Sequence, residues 1–270
     1  MADLKIVVAG ASGRMGAACI KAVVATKGLT LHAAFDRPGA SAIGMDAGLL
    51  AGLPPLEVMV GDDAAAALDG ADAVIDFTAP AATVALAALT AKNGLVHVIG
   101  TTGCAEADEA ALHKAAKAGA RIVKSGNMSL GVNLLASLVE KAAAALGSDF
   151  DIEIVEMHHN KKVDAPSGTA LLLGEAAAKG RQIDLETQSV RARDGHTGPR
   201  EEGTIGFATL RGGSVVGEHA VIFAGPSERI ELTHKAEDRG LFANGAVKAV
   251  LWAQHQPPGY YTMADVLGLN

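Results

Sequence analysis

Ile6-Val7-Val8-Ala9-Gly10-Ala11-Ser12-Gly13-Arg14-Met15-Gly16 carries an apolar run directly into three glycines spaced three apart. Ile6–Ala9 reads as a buried strand, and Met15–Thr26 as a helix closed by Lys27-Gly28. A glycine-rich turn between a strand and a helix has a physical use. Without a Cβ the backbone can approach a pyrophosphate, and the helix N-terminus supplies free N–H donors at its positive end. The spacing is G-x-x-G-x-x-G rather than the more usual G-x-G-x-x-G, so the motif draws its weight from the strand before it and the helix after it. A tight turn with no ligand is the plainer alternative.

Working outward, Leu31–Phe35, Ala73–Phe77, Val96–Ile99 and Arg121–Lys124 read as further strands. Pro80–Lys92 and Glu106–Lys117 read as helices between them, the first ending at Asn93-Gly94 and the second with acids in its first turn and lysines in its last. Strands alternating with helices predict βαβ crossovers and a mainly parallel sheet. The rhythm changes near Asn127. Leu130–Leu146 is a long helix, Ile152–Met157 a strand and Ser167–Lys179 a helix. Thr204–Leu210, Ser214–Phe223 and Arg229–His234 then follow without intervening helices, which predicts an antiparallel meander. Gly240–Trp252 is a helix expected to return to the first domain, and Asp194–Gly203 is expected to be a mobile loop. The expected fold class is α/β: a Rossmann-like dinucleotide-binding domain at 1–127 and 240–270, and a second, α+β domain at 128–239.

The 270 residues suit two domains. Aromatics are only 3%, so the core must be built from Ala, Val, Leu and Ile. A net charge of −7 argues against nucleic acid or anionic membrane as partners. The two cysteines, Cys19 and Cys104, form no C-x-x-C pair, so neither a disulfide framework nor a metal site is expected. No secretory signal is read at Met1–Gly10, and the uncharged stretch Thr78–Ala91 is too short to span a bilayer, so a cytoplasmic protein is expected.

Four more segments carry chemistry. Asp36-Arg37 follows the second strand, where an acid can bond a ribose 2′-OH and an arginine can pair with a 2′-phosphate. Gly100-Thr101-Thr102-Gly103 and Ser125-Gly126-Asn127-Met128 close strands at their carboxyl ends, where open α/β sheets bind ligands. The densest stretch is Glu156-Met157-His158-His159-Asn160-Lys161-Lys162-Val163-Asp164-Ala165-Pro166-Ser167-Gly168-Thr169. It joins a strand to a helix start and concentrates cationic donors, which fits a small polyanionic substrate; histidine and lysine can also transfer protons. A solvated basic loop is the plainer reading. Metal binding is disfavoured because adjacent strand residues such as His158 and His159 point apart. Glu218-His219 sits within a strand, and a structural or interface role is expected there.

The block His158–Thr169 resembles the H-H-x-x-K-x-D-A-P-S-G-T-A pattern of the 4-hydroxy-tetrahydrodipicolinate reductases. The resemblance extends through Ile75-Asp76-Phe77-Thr78, the Gly100 and Asn127 segments, Arg211-Gly212-Gly213, Gly217-Glu218-His219 and the tail from Phe242 to Leu269. It implies NADH- or NADPH-dependent reduction of 4-hydroxy-tetrahydrodipicolinate to tetrahydrodipicolinate, with release of water, in diaminopimelate and lysine biosynthesis. It also implies His158 as proton donor/acceptor, Lys162 as proton donor, and His159, Gly168 and Thr169 on the substrate carboxylates. Cofactor contacts would come from Gly10, Ala11, Ser12, Gly13, Arg14, Met15, Asp36, Arg37, Gly100, Thr101, Thr102, Ser125, Gly126, Asn127 and Met128. A homotetramer acting on a small dicarboxylate is implied as well, with the domain at 128–239 serving substrate binding and oligomerisation. The rival readings are another Rossmann dehydrogenase with an amino-acid-like substrate, and a non-catalytic NAD(P)H sensor.

Overall fold

The computed structural model describes residues 2–269. The chain divides into two compact units, Met1–Leu130 with Gly240–Asn270, and Gly131–Arg239. The first begins β1 (Leu4–Ala9), α1 (Arg14–Ala25), β2 (Leu29–Phe35), α2 (Ala47–Leu50), β3 (Val60–Gly61), α3 (Ala64–Leu68), β4 (Ala73–Asp76) and α4 (Pro80–Asn93). It continues β5 (Val96–Ile99), α5 (Glu106–Lys117) and β6 (Arg121–Lys124). The second unit holds α6 (Leu130–Ala145), β7 (Asp151–His158), α7 (Gly168–Arg181), α8 (Leu185–Gln188), β8 (Ser189–Val190), β9 (Ile205–Arg211), β10 (Gly217–Ala224) and β11 (Arg229–Ala236). The chain then re-enters the first unit as α9 (Gly240–Ala253), β12 (Gly259–Tyr261) and α10 (Met263–Leu267).

The first sheet has the order β12-β6-β5-β4-β1-β2-β3, and every pair in it is parallel. Both of its faces are covered, so its central strands are apolar on both sides. In β1, Ile6 and Val8 pack with Cys19, Ile20 and Val23 of α1 and with Ala246 and Val250 of α9. Val7 and Ala9 face the other way, against Val74, Leu68 and Leu86. Cys19 is fully buried there, and burial pushes its thiol up to about 12, so it serves as a small apolar side chain. α4 ends where the sequence placed its stop, at Gly94, which takes the left-handed conformation and returns its N–H to the last turn.

The second sheet has the order β11-β10-β7-β9-β8. The expected meander is corrected here. β10 and β11 form an antiparallel hairpin, but β7 lies between β10 and β9 and runs parallel to β9. Residues 212–216 therefore hop across the carboxyl end of β7. The Gly212 N–H donates to His158 O (2.9 Å), the His159 N–H to Val215 O (2.8 Å) and the Asn160 N–H to Gly213 O (3.3 Å). Gly213 has φ +51°, which a β-branched residue would adopt only with strain. Sequence adjacency favours neighbouring strands, but here the hop clamps the backbone of both adjacent histidines.

α6 and α7 cover one face of this sheet, packing Val139, Leu173 and Ala177 on Ile154, Phe207, Val221 and the fully buried Phe223. The loop at Asp194–Gly203 has no strand or helix. Arg193 just before it and Arg200 within it both grip Glu153 (2.8–3.0 Å). Three short pieces between Asp36 and Ala73, namely α2, β3 and α3, carried no periodicity long enough to read from sequence, and neither did β12 or α10. No described helix is long and apolar enough to cross a membrane.

Candidate active site

In the first unit, the Gly10 and Ala11 N–H groups both donate to Phe35 O (2.9 and 3.1 Å), folding the turn over the end of β2. Gly10 has φ +69°. Gly13 stands at the N-cap of α1 without a side-chain cap, which leaves the first helical amides for a ligand. Gly16 is required for close packing, since a Cβ there would run into the backbone of Gly10 and Ala11. Asp36 accepts from Ser12 N (2.9 Å), Ser12 Oγ (2.5 Å) and Arg37 N (2.8 Å). Burial would raise its pKa, but these bonds and the Arg37 charge outweigh burial and hold the carboxyl below its ordinary value. Arg37 is exposed beside it. A cavity of about 500 Å³ opens here, lined by Gly10, Ser12, Asp36, Arg37 and Thr78 together with the apolar Ala82, Leu86 and Leu89. An apolar wall with a few converging polar groups suits an adenosine. Arg14 and Met15 open α1, while Met128 is fully buried in the core, so its side chain is turned away from any ligand and only its backbone is on offer.

At the ends of β4 and β5, sequence reasoning missed a buried polar network. Asp76 is fully buried and accepts from Thr78 N (2.9 Å), Thr78 Oγ1 (2.6 Å) and Thr83 Oγ1 (2.7 Å), with His97 Nε2 at 3.2 Å. Burial opposes its charge, and the bonds from His97, Thr78 and Thr83 more than offset that, leaving its pKa lowered. Thr101 belongs to the same network, accepting from Thr78 N (3.0 Å), so its side chain is turned inward while its backbone lines the Gly100 turn. A Cβ on Gly100 would strike the Phe77 ring. Ser125 and Asn127 close their own turn, with Asn127 N–H on Ser125 Oγ (3.2 Å) and Ser129 N–H on Asn127 Oδ1 (2.9 Å).

In the second unit, β7 ends at His158 and α7 begins after Ser167, whose Oγ caps Ala170 N (3.1 Å). Gly168 is exposed at the first turn of α7 and Thr169 follows it. His158 is buried and His159 half-exposed, as their alternation along the strand requires. Arg239 approaches His159 Nε2 (3.2 Å). The Lys162 ammonium is clasped by both Asp164 oxygens (2.8 and 2.9 Å), and this bond is the main reason the Asp164 carboxyl titrates below its ordinary value. Lys162 thus lies on the loop that leaves His158 at the end of β7, with Gly168 and Thr169 at the helix start that follows.

The supporting shell was not read from sequence. Glu156, two residues before His158 and on the same face of the strand, is almost wholly buried. It accepts from His158 Nδ1 (2.6 Å), both Arg211 nitrogens (2.8 and 2.9 Å) and the Ser167 N–H (3.0 Å). Burial alone would raise its pKa, yet these bonds keep it lowered. Arg211 also reaches Asp164 O (2.6 Å), tying the loop to the sheet. His219, for which a structural or interface role is expected, lies against this cluster. Its Nε2 is 3.0 Å from Ser167 Oγ, and its ring stands edge-on to His158 with centroids 5.0 Å apart. Period-two alternation in β7 could have flagged Glu156; nothing local in sequence pairs Ser167 with His219. Among the described residues no group of three or more His, Cys, Asp or Glu is placed to hold a metal ion.

Burial lowers the His219 pKa to about 4, with the nearby His158 charge adding to the effect. Between about pH 4 and 6.5 the unfolded chain therefore binds a proton there that the folded chain does not, so stability falls as pH drops through that window. Glu156, also depressed, adds loss of the same sign at lower pH. The expected thermal midpoint declines from pH 7 to pH 4, and His219→Gln flattens the upper part of that decline. A pH-independent midpoint across the window would contradict the assignment.

A model for the N-terminal part of dihydrodipicolinate reductase matches residues 4–128, and one for its C-terminal part matches residues 131–267. The chain is 63% identical over 268 residues to the 4-hydroxy-tetrahydrodipicolinate reductase of Allorhizobium ampelinum, covering 99% of each. It is 62% identical over 269 residues to that of Sinorhizobium fredii, covering 99% of this chain and 98% of the relative. A dipicolinate-bound dihydrodipicolinate reductase from a Paenisporosarcina species shares the fold, with a TM-score of 0.78 at 22% identity, covering 97% of this chain and 98% of that one. Matched across both halves and over its whole length by such relatives, the chain belongs to the dihydrodipicolinate reductase family and is an oxidoreductase.

Proposed function

We propose that this chain works in the cytoplasm and reduces 4-hydroxy-tetrahydrodipicolinate to tetrahydrodipicolinate with NADH or NADPH, releasing water. The observation that carries the reading is the second unit's cluster, where one loop carrying a lysine joins an acid-supported histidine at a strand end to an exposed helix start. That combination offers proton transfer and carboxylate binding within a few residues. The residues of the first unit fit a dinucleotide: Gly10 to Met15 for the pyrophosphate, Asp36 and Arg37 for the adenosine ribose, and the Gly100–Thr102 and Ser125–Met128 turns for the nicotinamide half. When bound, the reduced nicotinamide supplies the hydride. The Gly168 and Thr169 amides and His159 hold the carboxylates, and His158 or Lys162 supplies the proton.

An assay of nicotinamide absorbance with the freshly formed precursor tests this. Turnover with that substrate, and none with aspartate-type semialdehydes, is the expected result. Binding of NADH without turnover would replace the reading with a sensor.

The cofactor preference rests on Asp36 and Arg37. Asp36→Ala is expected to raise the KM for NADH by roughly tenfold, the worth of about one hydrogen bond to a charged group. Arg37→Ala is expected to raise the KM for NADPH instead, because it removes the partner of a 2′-phosphate. Equal changes for both cofactors in either variant would contradict the assignment.

Assembly as a homotetramer through the second unit is part of the same reading. The sheet face away from α6 and α7 presents Val155, Met157, Leu210, Ala220 and Ile222, an apolar patch that a neighbouring copy would cover.

A further inference from the structure

We infer that Glu156 is a positioning residue for the reduction: its carboxylate fixes the His158 ring through Nδ1, so that Nε2 is the atom that exchanges a proton with the substrate. The inference rests on the proposed role of His158. Glu156 Oε2 lies 2.6 Å from His158 Nδ1, and the carboxylate is held as an anion by two Arg211 nitrogens and the Ser167 N–H. An ionised carboxylate only accepts, so Nδ1 carries the hydrogen and the free lone pair of neutral His158 is on Nε2. Space is kept beside that atom. A Cβ on Gly217 would stand 3.0 Å from His158 Nε2, closer than such atoms normally approach. The ring is also held from the backbone, since His158 O accepts from Gly212 N.

The step balances simply. The Nε2–H bond of the protonated ring breaks, its electron pair stays on Nε2, and the proton goes to the substrate atom that gained electrons from the hydride. The neutral ring that remains keeps its Nδ1 hydrogen on Glu156 and is reprotonated from solvent. Other charged and titratable groups around His158 are Arg211 on β9, His219 on β10 with His234 opposite it on β11, and Lys162 with Asp164 on the loop. His219 stands 5.0 Å from His158 and is neutral above about pH 4, so it adds no competing charge at working pH. The same carboxylate bonds the amide of Ser167, the cap of the helix whose start is proposed to hold the substrate. One buried anion therefore aligns both the proton carrier and the binding element.

The test uses the intact enzyme and the variants Glu156→Gln, Glu156→Asp and His158→Gln. In wild type, spectra of ¹⁵N-labelled imidazoles should show a far-downfield Nδ1 proton that disappears in His158→Gln. In Glu156→Gln, kcat should fall on the order of 10- to 100-fold, as for other supporting partners of a functional histidine. The KM of the precursor should meanwhile stay within about threefold, because the glutamine carbonyl can still accept from the Ser167 N–H and keep the helix start in place. The alkaline limb of the kcat profile should move to lower pH, since the anion that stabilises the imidazolium is gone. Glu156→Asp, charged but too short to reach Nδ1 in the same geometry, should lose less than Glu156→Gln. A raised KM with unchanged kcat, or an Nε2-protonated neutral ring in wild type, overturns the inference, and the wild-type spectrum decides it even if both Glu156 variants fail to fold. If His158→Gln keeps full turnover, the proposed role of His158 falls too; if it abolishes turnover while Glu156→Gln matches wild type, only this inference falls.

Discussion

Alanine at His158 lowers kcat by a factor on the order of 10² to 10⁴, the usual worth of a positioned proton-transfer group. Alanine at Lys162 gives a loss of the same order. The physical basis differs between the two. His158 is buried and braced by Glu156 and the Gly212 amide, so its removal takes away a group held in one orientation. Lys162 sits on the loop, its ammonium anchored by Asp164, whose backbone carbonyl is in turn held by Arg211. Because the two groups serve one step, the double variant should lose far less than the product of the single losses. Steady-state rates with the precursor, at fixed saturating NADH, provide the measurement. Near-wild-type turnover in both single variants would show that neither residue moves the proton.

Alanine at Gly16 is expected to damage the first unit more than any other single methyl group added in its nucleotide turn. The new Cβ meets the Gly10 carbonyl and the Ala11 backbone, with no flexible side chain to swing aside. Overpacking of that kind costs about 1–3 kcal/mol, and in a unit of this size each kcal/mol lowers the melting temperature by roughly 2–4 °C. The turn must shift to relieve the clash, so the amides at the start of α1 move off the pyrophosphate, and NADH affinity should fall by about tenfold or more, as for a lost charge-assisted hydrogen bond. Calorimetry and NADH fluorescence titration read the two effects, while binding of a dicarboxylate analogue reports on the second unit and should change little. A Gly16→Ala protein that melts and binds NADH like wild type would remove the close-packing argument for the third glycine.

Much of the first unit was legible because its signals are local. An apolar run followed by spaced glycines needs only neighbours to be read, and β1, the turn and α1 lie where Ile6–Gly16 placed them. The same holds for Gly94 after α4, and for Ser167 as the cap of α7. Elements too short for any periodicity, such as β3 and β12, escaped. They exist because a neighbouring strand offers them hydrogen bonds: Gly259–Tyr261 pairs with Arg121–Val123, far back in the chain.

The amino-acid order alone determined which segments become strands and helices, where the backbone must turn without a Cβ, and which cationic loop precedes a helix start. These follow from side-chain period, conformational freedom and capping, all set within a few residues. Tertiary structure alone decided the rest. The insertion of β7 between β10 and β9 brings Arg211 to Glu156 across 55 positions and His219 to Ser167 across 52. Strand register is chosen by the burial of whole faces rather than by adjacency, and a buried carboxylate is tolerated only where that register delivers its donors. The support behind His158 therefore becomes visible only once the sheet is assembled.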